Sequence, residues 1–301
     1  MVVAENLSVS IVEYPVGEPG AGPYGILAGP DDAVWYTQVH HGRIGRLTLS
    51  GEHTSYQLNP PSGRPSLMAR GPDGALWFTE SHGHRIGRVT TDGSITNFCV
   101  PTSDAGPFGI TSGRDGALWF TEMNADRIGR VTTDGTITEF ALPAKGSFPS
   151  MITDGVDGAL WFTMNQANAI GRITTSGAIT TYPLPTADAG PVGICQGSDG
   201  ALWFVEIGAG QIGRITAAGR ITEFPLPDRA ARPHAITADT NGYCWFTEWA
   251  SSRIGCITTN GDIERYALPT SASEPHGITL GPDGALWIAL EIGSIARLTQ
   301  C

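Results

Sequence analysis

The chain has 301 residues, among them 40 Gly, 21 Pro and eight Trp, with 16% charged residues; this is turn-rich, with material for an aromatic core, and is not a disordered composition. A formal net charge of −11 without any Lys/Arg cluster argues against a nucleic-acid backbone or an anionic membrane as partner and suits a neutral or cationic ligand. No run is apolar enough to cross a bilayer, and Met1-Val2-Val3-Ala4-Glu5-Asn6 has neither the basic nor the apolar part of a secretory signal.

The first predicted element is the alternating segment Ser10-Ile11-Val12-Glu13-Tyr14-Pro15, a strand. Beyond it Trp35, Trp77, Trp119, Trp161, Trp203, Trp245 and Trp287 follow one another at intervals of 42 residues without an indel. A proline keeps the same period in Pro23-Tyr24, Pro65-Ser66, Pro107-Phe108, Pro149-Ser150, Pro191-Val192, Pro233-His234 and Pro275-His276. In the second copy the alternation predicts four strands over 66–70, 75–80, 85–90 and 94–100, separated by Gly71-Pro72-Asp73-Gly74 and Thr91-Asp92-Gly93 turns. Four strands per 40 to 45 residues is a propeller blade. The last copy ends after its third strand at 295–301, and the first strand matches the fourth-strand pattern of 136–140. The expected fold is therefore an all-β, seven-bladed β-propeller with four-stranded blades, one domain over 1–301, whose last blade is completed by the N-terminal strand.

Cys99, Cys195, Cys244, Cys256 and Cys301 are widely spread and lack CxxC or Cys/His zinc spacing, so they read as small apolar strand residues in a reduced, cytoplasmic protein. A closed ring needs no partner to protect its edges, which makes a monomer the expectation.

Seven equivalent copies supply an internal control, because residues common to most copies serve the blade and singular ones need another explanation. After the proline stand Tyr24, Ser66, Phe108, Ser150, Val192, His234 and His276; before it stand Gly22, Arg64, Gly106, Phe148, Gly190, Arg232 and Glu274. The only carboxylate there, Glu274, lies two residues from His276, and the two share one side of the chain if residue 274 is extended, as a residue before proline favours. Three residues past the tryptophan stand Gln38, Glu80, Glu122, Met164, Glu206, Glu248 and Leu290, and blade seven places Glu291 one residue later. A shift of one residue turns a strand side chain to the other face, so Glu291 is expected to differ from the repeated glutamates, which read as structural partners of arginines such as Arg88 and Arg214.

Glu274, His276, Glu291 and His234 thus converge on one face near the axis, with Tyr24 brought beside them by ring closure. Two carboxylates without cysteine suit a hard divalent cation such as Mg²⁺, and neutral imidazole suits a general base. A hydrogen-bonded structural role for His234 stays open. His40, His41, His82 and His84, in loops between second and third strands, read as solvated loop residues.

The pattern Glu274-Pro275-His276-Gly277, followed by Trp287-Ile288-Ala289-Leu290-Glu291 and preceded one repeat earlier by Pro233-His234, resembles the streptogramin B lyases, also called virginiamycin B lyases. The resemblance covers essentially the whole chain, without a departure at these positions. It implies that Glu274 and Glu291 bind Mg²⁺, that His276 is the proton acceptor, and that His234 and Tyr24 meet the substrate. It also implies the reaction: elimination at the threonyl ester of a cyclic depsipeptide antibiotic. Two alternatives remain at this point, a metal-dependent lactonase like the gluconolactonase propellers and a non-catalytic peptide-binding propeller.

Overall fold

The computed structural model describes residues 8–18 and 20–300; the N-terminal hexapeptide and Cys301 lie outside them. Its 28 strands form seven four-stranded antiparallel sheets, with a single 3₁₀ turn at Pro61–Gly63. Blade one consists of Pro23–Ala28, Ala33–Gln38, Arg43–Thr48 and His53–Gln57 in consecutive pairing. Blade seven runs Pro275–Leu280, Leu286–Leu290, Ser294–Gln300 and then Val9–Pro15, which pairs from Val9 with Gln300 to Pro15 with Ser294. First strands of neighbouring blades pack around the ring, blade seven against blade one included. The closed propeller and its closure by the N-terminal strand are as the repeat implied.

The repeat residues explain the blade. Each of the seven periodic tryptophans is 0% exposed and stacks on an aromatic ring of the fourth strand, as Trp77 on Phe98 at 5.3 Å; in blade seven the partner is Tyr14 of the N-terminal strand, 5.7 Å from Trp287. The indole N–H, costly to bury unpaired, donates to a turn aspartate, as from Trp77 to Asp73 at 3.1 Å. That aspartate also holds the third-strand arginine: Arg88 donates to Asp73 and Arg214 to Asp199, both at 2.7 Å. Arg88 and Arg214 therefore do not pair with the repeated glutamates. Those glutamates are fully buried and point to the opposite side of the sheet from the arginines, where their partners differ from blade to blade: Arg85 for Glu80, Gln211 for Glu206 and Arg265 for Glu248.

Blades are joined by a threonine. The hydroxyls of Thr37, Thr79, Thr121, Thr163 and Thr247 donate to the carbonyl of the post-proline residue in the next blade, which for Thr247 is His276 at 2.9 Å. Blades five and seven carry Val205 and Ala289 at this position, so His234 and Tyr24 do not receive that bond.

Among these repeated glutamates Glu122 is the one that no donor satisfies among the described residues: it is 0% exposed and neither oxygen accepts a hydrogen bond. Burial, with the Glu139 carboxylate beside it, pushes its pKa up to about 8 from 4.5. The folded chain then holds a proton that the unfolded chain releases above pH 4.5, so this contribution to stability is complete below that pH and is lost as pH rises toward 8. Glu122→Gln, which keeps the shape and removes the titration, is expected to raise the melting temperature at pH 8 by several degrees, at roughly 2–4 °C per kcal/mol, and to leave it unchanged below the unfolded pKa of 4.5. Equal melting shifts in the two conditions would contradict this account.

Candidate active site

The residue before each proline has a left-handed backbone, from φ +48° at Glu274 to +67° at Gly22. In every blade its carbonyl accepts a hydrogen bond from the amide of the residue just after the second strand: Gly22 from Val39, Arg64 from Ser81, Gly106 from Met123, Phe148 from Asn165, Gly190 from Ile207, Arg232 from Trp249 and Glu274 from Glu291, at 2.9 to 3.2 Å. This rung places two side chains per blade on the face near the axis. The extended backbone expected at Glu274 is overturned, because the rung needs the carbonyl turned back toward the second strand and outweighs the preference of a residue before proline. A bulge follows, with register shifting between Pro275 and Ile278, so His276 falls at the mouth of the channel.

The ring brings Tyr24, His234, His276 and Glu291 together. His276 Nε2 lies 2.5 Å from Glu291 Oε2. The Tyr24 ring is 4.4 Å from the His276 ring, the His234 ring is 4.6 Å from it and nearly perpendicular, and the Tyr24 hydroxyl is hydrogen-bonded to His234 Nε2 at 3.2 Å. Glu274 joins this group through its backbone bond to Glu291, and its carboxylate makes no hydrogen bond or ion pair among the described residues. As expected from the one-residue shift, Glu291 is partly exposed in the site while the repeated glutamates are sealed inside their blades.

Environment sets the charges. The hydrogen bond from His276, with a second from His40, holds the Glu291 carboxyl down at about 2 despite partial burial. Burial, reinforced by the neighbouring His276, lowers His234 to about 3, so its ring is neutral at pH 7; burial also raises the Tyr24 hydroxyl well above its usual range. Glu291 accepts a hydrogen bond from His276 Nε2, and Nδ1 of that ring is buried and unpartnered among the described residues. Beside these groups is a cavity of about 240 Å³ with an apolar part formed by Val39, Phe108 and Met123 and a polar part to which blade two contributes Arg64, Ser81 and His82.

Three contributors are not apparent from the sequence. His40, a loop residue expected to be solvated, bonds Glu291 Oε1 at 2.8 Å from across the blade one to blade seven seam. The preceding rung residue, Val39, corresponds to Glu291 one copy around the ring, and only ring closure reveals that the loop of one meets the carboxylate of the other. His82 also borders the cavity. Trp249, the eighth tryptophan, is off the 42-residue period and lies 6.5 Å from His276; its departure from the period was the available signal.

Glu274 and Glu291 are the residues that could hold a cation. Among the described residues no three His, Cys, Asp or Glu side chains form a metal-ligating group. Magnesium keeps several waters and takes one or two carboxylates, and the unpartnered Glu274 carboxylate, tied through the backbone to that of Glu291, fits this donor chemistry.

A sequence profile of the virginiamycin B lyase family matches residues 9–298. A solved streptogramin B lyase is 47% identical, with a TM-score of 0.94 over 97% of this chain and 98% of that one. A catalytically inactive histidine-to-alanine variant of the Staphylococcus aureus virginiamycin B lyase, crystallised with quinupristin, is also 47% identical at a TM-score of 0.94, covering 98% of this chain and 100% of that one. The virginiamycin B lyase of Saccharopolyspora erythraea is 57% identical over 54 residues, a stretch of 18% of this chain and 18% of that protein.

The seam between blades seven and one is tight at Gly277, where an added Cβ would overlap the Tyr24 carbonyl oxygen. Gly277→Ala is expected to separate Tyr24 from His276 and to destabilise the fold by about 1–3 kcal/mol, read as a lower urea midpoint; an unchanged midpoint would show that the seam yields without strain.

Proposed function

The chain belongs to the virginiamycin B lyase family, and from that premise we propose that it linearises type B streptogramins, cyclic depsipeptide lactones, by elimination at the threonyl ester, and so confers resistance to them. The observation that carries this reading is the pairing of His276 with Glu291: a carboxylate orients the imidazole through its Nε2, beside Tyr24 and His234. A base oriented by a carboxylate is what abstraction of a proton from carbon requires. The histidine-to-alanine change that leaves the Staphylococcus aureus protein inactive with quinupristin bound agrees with a histidine in this role.

His276 takes the threonyl Cα proton, the electron pair forms the Cα–Cβ double bond, and the ester carboxylate leaves from Cβ. The proton lost and the carboxylate released remain in the balance, so the linear product is an isomer of the substrate carrying one unsaturated residue. Glu291 stabilises the imidazolium that forms, as its low pKa allows. Thr247 fixes the backbone carbonyl of His276. Neutral His234 and Tyr24, hydrogen-bonded to each other, offer polar contacts to the lactone without adding charge. Glu274 and Glu291 would hold Mg²⁺, which when bound supplies Lewis-acid stabilisation of the developing carboxylate.

Purified protein with Mg²⁺ is expected to convert a type B streptogramin to a linear product of unchanged mass, and EDTA to stop it. A product heavier by one water would replace elimination by lactone hydrolysis. His276→Ala is expected to lower kcat by roughly 10²–10⁴-fold with an unaltered circular dichroism spectrum; full activity in that variant would remove His276 from the base role.

A further inference from the structure

Blade six carries, on its rung, a pair that no other blade has. Where blade seven sets Glu274 against Glu291, blade six sets Arg232 against Trp249 through the same backbone bond, Trp249 amide to Arg232 carbonyl, at 3.1 Å. The corresponding positions elsewhere hold Gly22 with Val39, Arg64 with Ser81, Gly106 with Met123, Phe148 with Asn165 and Gly190 with Ile207. Arg232 is exposed, makes no ion pair among the described residues, and lies with Cζ 5.8 Å from the centre of the Trp249 ring. That ring is 6.5 Å from His276 at an angle of 42°.

The seven blade tryptophans have their indole N–H groups bonded to aspartates, as from Trp245 to Asp239 at 2.8 Å. Trp249 differs: its Nε1 is buried and has no acceptor among the described residues. A buried donor without a partner is unfavourable by more than a typical hydrogen bond is worth, so the indole is held by packing and by the cation against its face. Nothing in the blade needs this residue, since Ile207, Asn165 and Ser81 serve equally at its position. A cyclic depsipeptide presents carbonyl oxygens around its rim and is large enough to reach from the lactone at His276 to the neighbouring rung.

We infer that Trp249, backed by the Arg232 guanidinium, is a specificity-determining residue that forms a wall against the macrocycle and turns its indole N–H to a peptide carbonyl of the substrate. This rests on the proposed streptogramin activity and names a contact that discriminates among such substrates. The Arg232 cation restrains the ring against the channel, and the carbonyl supplies the acceptor that the free protein lacks. A linear peptide, without a rigid rim to hold a carbonyl there, gains little from the contact.

Because Trp249 is the one tryptophan of the chain that is neither fully buried nor bonded through its N–H, indole fluorescence reports on it. In the His276→Ala background, titration with quinupristin is expected to change the emission, and the change is expected to vanish in His276→Ala/Trp249→Phe. With His276 present, Trp249→Phe keeps a ring and removes the donor, and is expected to raise KM about fivefold, the worth of one net hydrogen bond, while moving kcat much less. Trp249→Ala is expected to raise KM on the order of thirtyfold, and Arg232→Gln to fall between wild type and Trp249→Phe. Wild-type turnover with an unchanged KM in Trp249→Phe would overturn the inference and leave the activity standing, as would the same emission change with and without Trp249. Absence of turnover by the wild type would instead overturn the streptogramin reading.

Discussion

The site depends on one backbone constraint, the left-handed residue before each proline whose carbonyl is returned to the end of the second strand. Seven times it fixes where the chain enters a blade, and seven times it delivers a pair of side chains to the same ring around the axis. A side chain with a Cβ is strained in this conformation, and Gly22, Gly106 and Gly190 relieve that strain in three blades. In the others Arg64, Phe148, Arg232 and Glu274 tolerate it. In blades six and seven the residues that accept the strain carry charge to the site, so the conformation opposes local preference where chemistry is placed.

Around that ring the structure divides labour between blades. Threonine bridges lock most blades to their neighbours, and the His276 carbonyl is among those locked, whereas His234 and Tyr24 lack the bridge because Val205 and Ala289 replace the threonine. His276 is thus held from both ends, by Thr247 at its backbone and Glu291 at its ring. Tyr24 and His234 are held chiefly by each other. The His234 imidazole and the Tyr24 phenol are both neutral at pH 7 beside the ionised Glu291 carboxylate.

The fold was legible because an unbroken period forces each copy to do the same thing, and Trp77, Asp73 and Thr79 speak for their counterparts. The core of the site was legible for the converse reason, since His234, His276, Glu274 and Glu291 break that pattern. What stayed hidden needed contacts that no single copy contains. The pairing of Arg88 with Asp73 is a matter of which face of the sheet each side chain occupies. His40 meets Glu291 only because the ring closes. The conformation of Glu274 was foreshadowed by the glycines at its equivalent positions, a signal stronger than the usual extended preference before proline.

That closure has a bearing on how the protein comes into being. His40 and Glu291 are 251 residues apart in the chain, Tyr24 and His234 are 210 apart, and blade seven takes its outer strand from the opposite end of the sequence. Blades one to six can be written and folded in order as the chain emerges, each nearly complete in itself. Blade seven cannot, for its outermost strand is made first and must wait for its partners. Pairing the two ends of the chain and bringing His40 to Glu291 are therefore one and the same event.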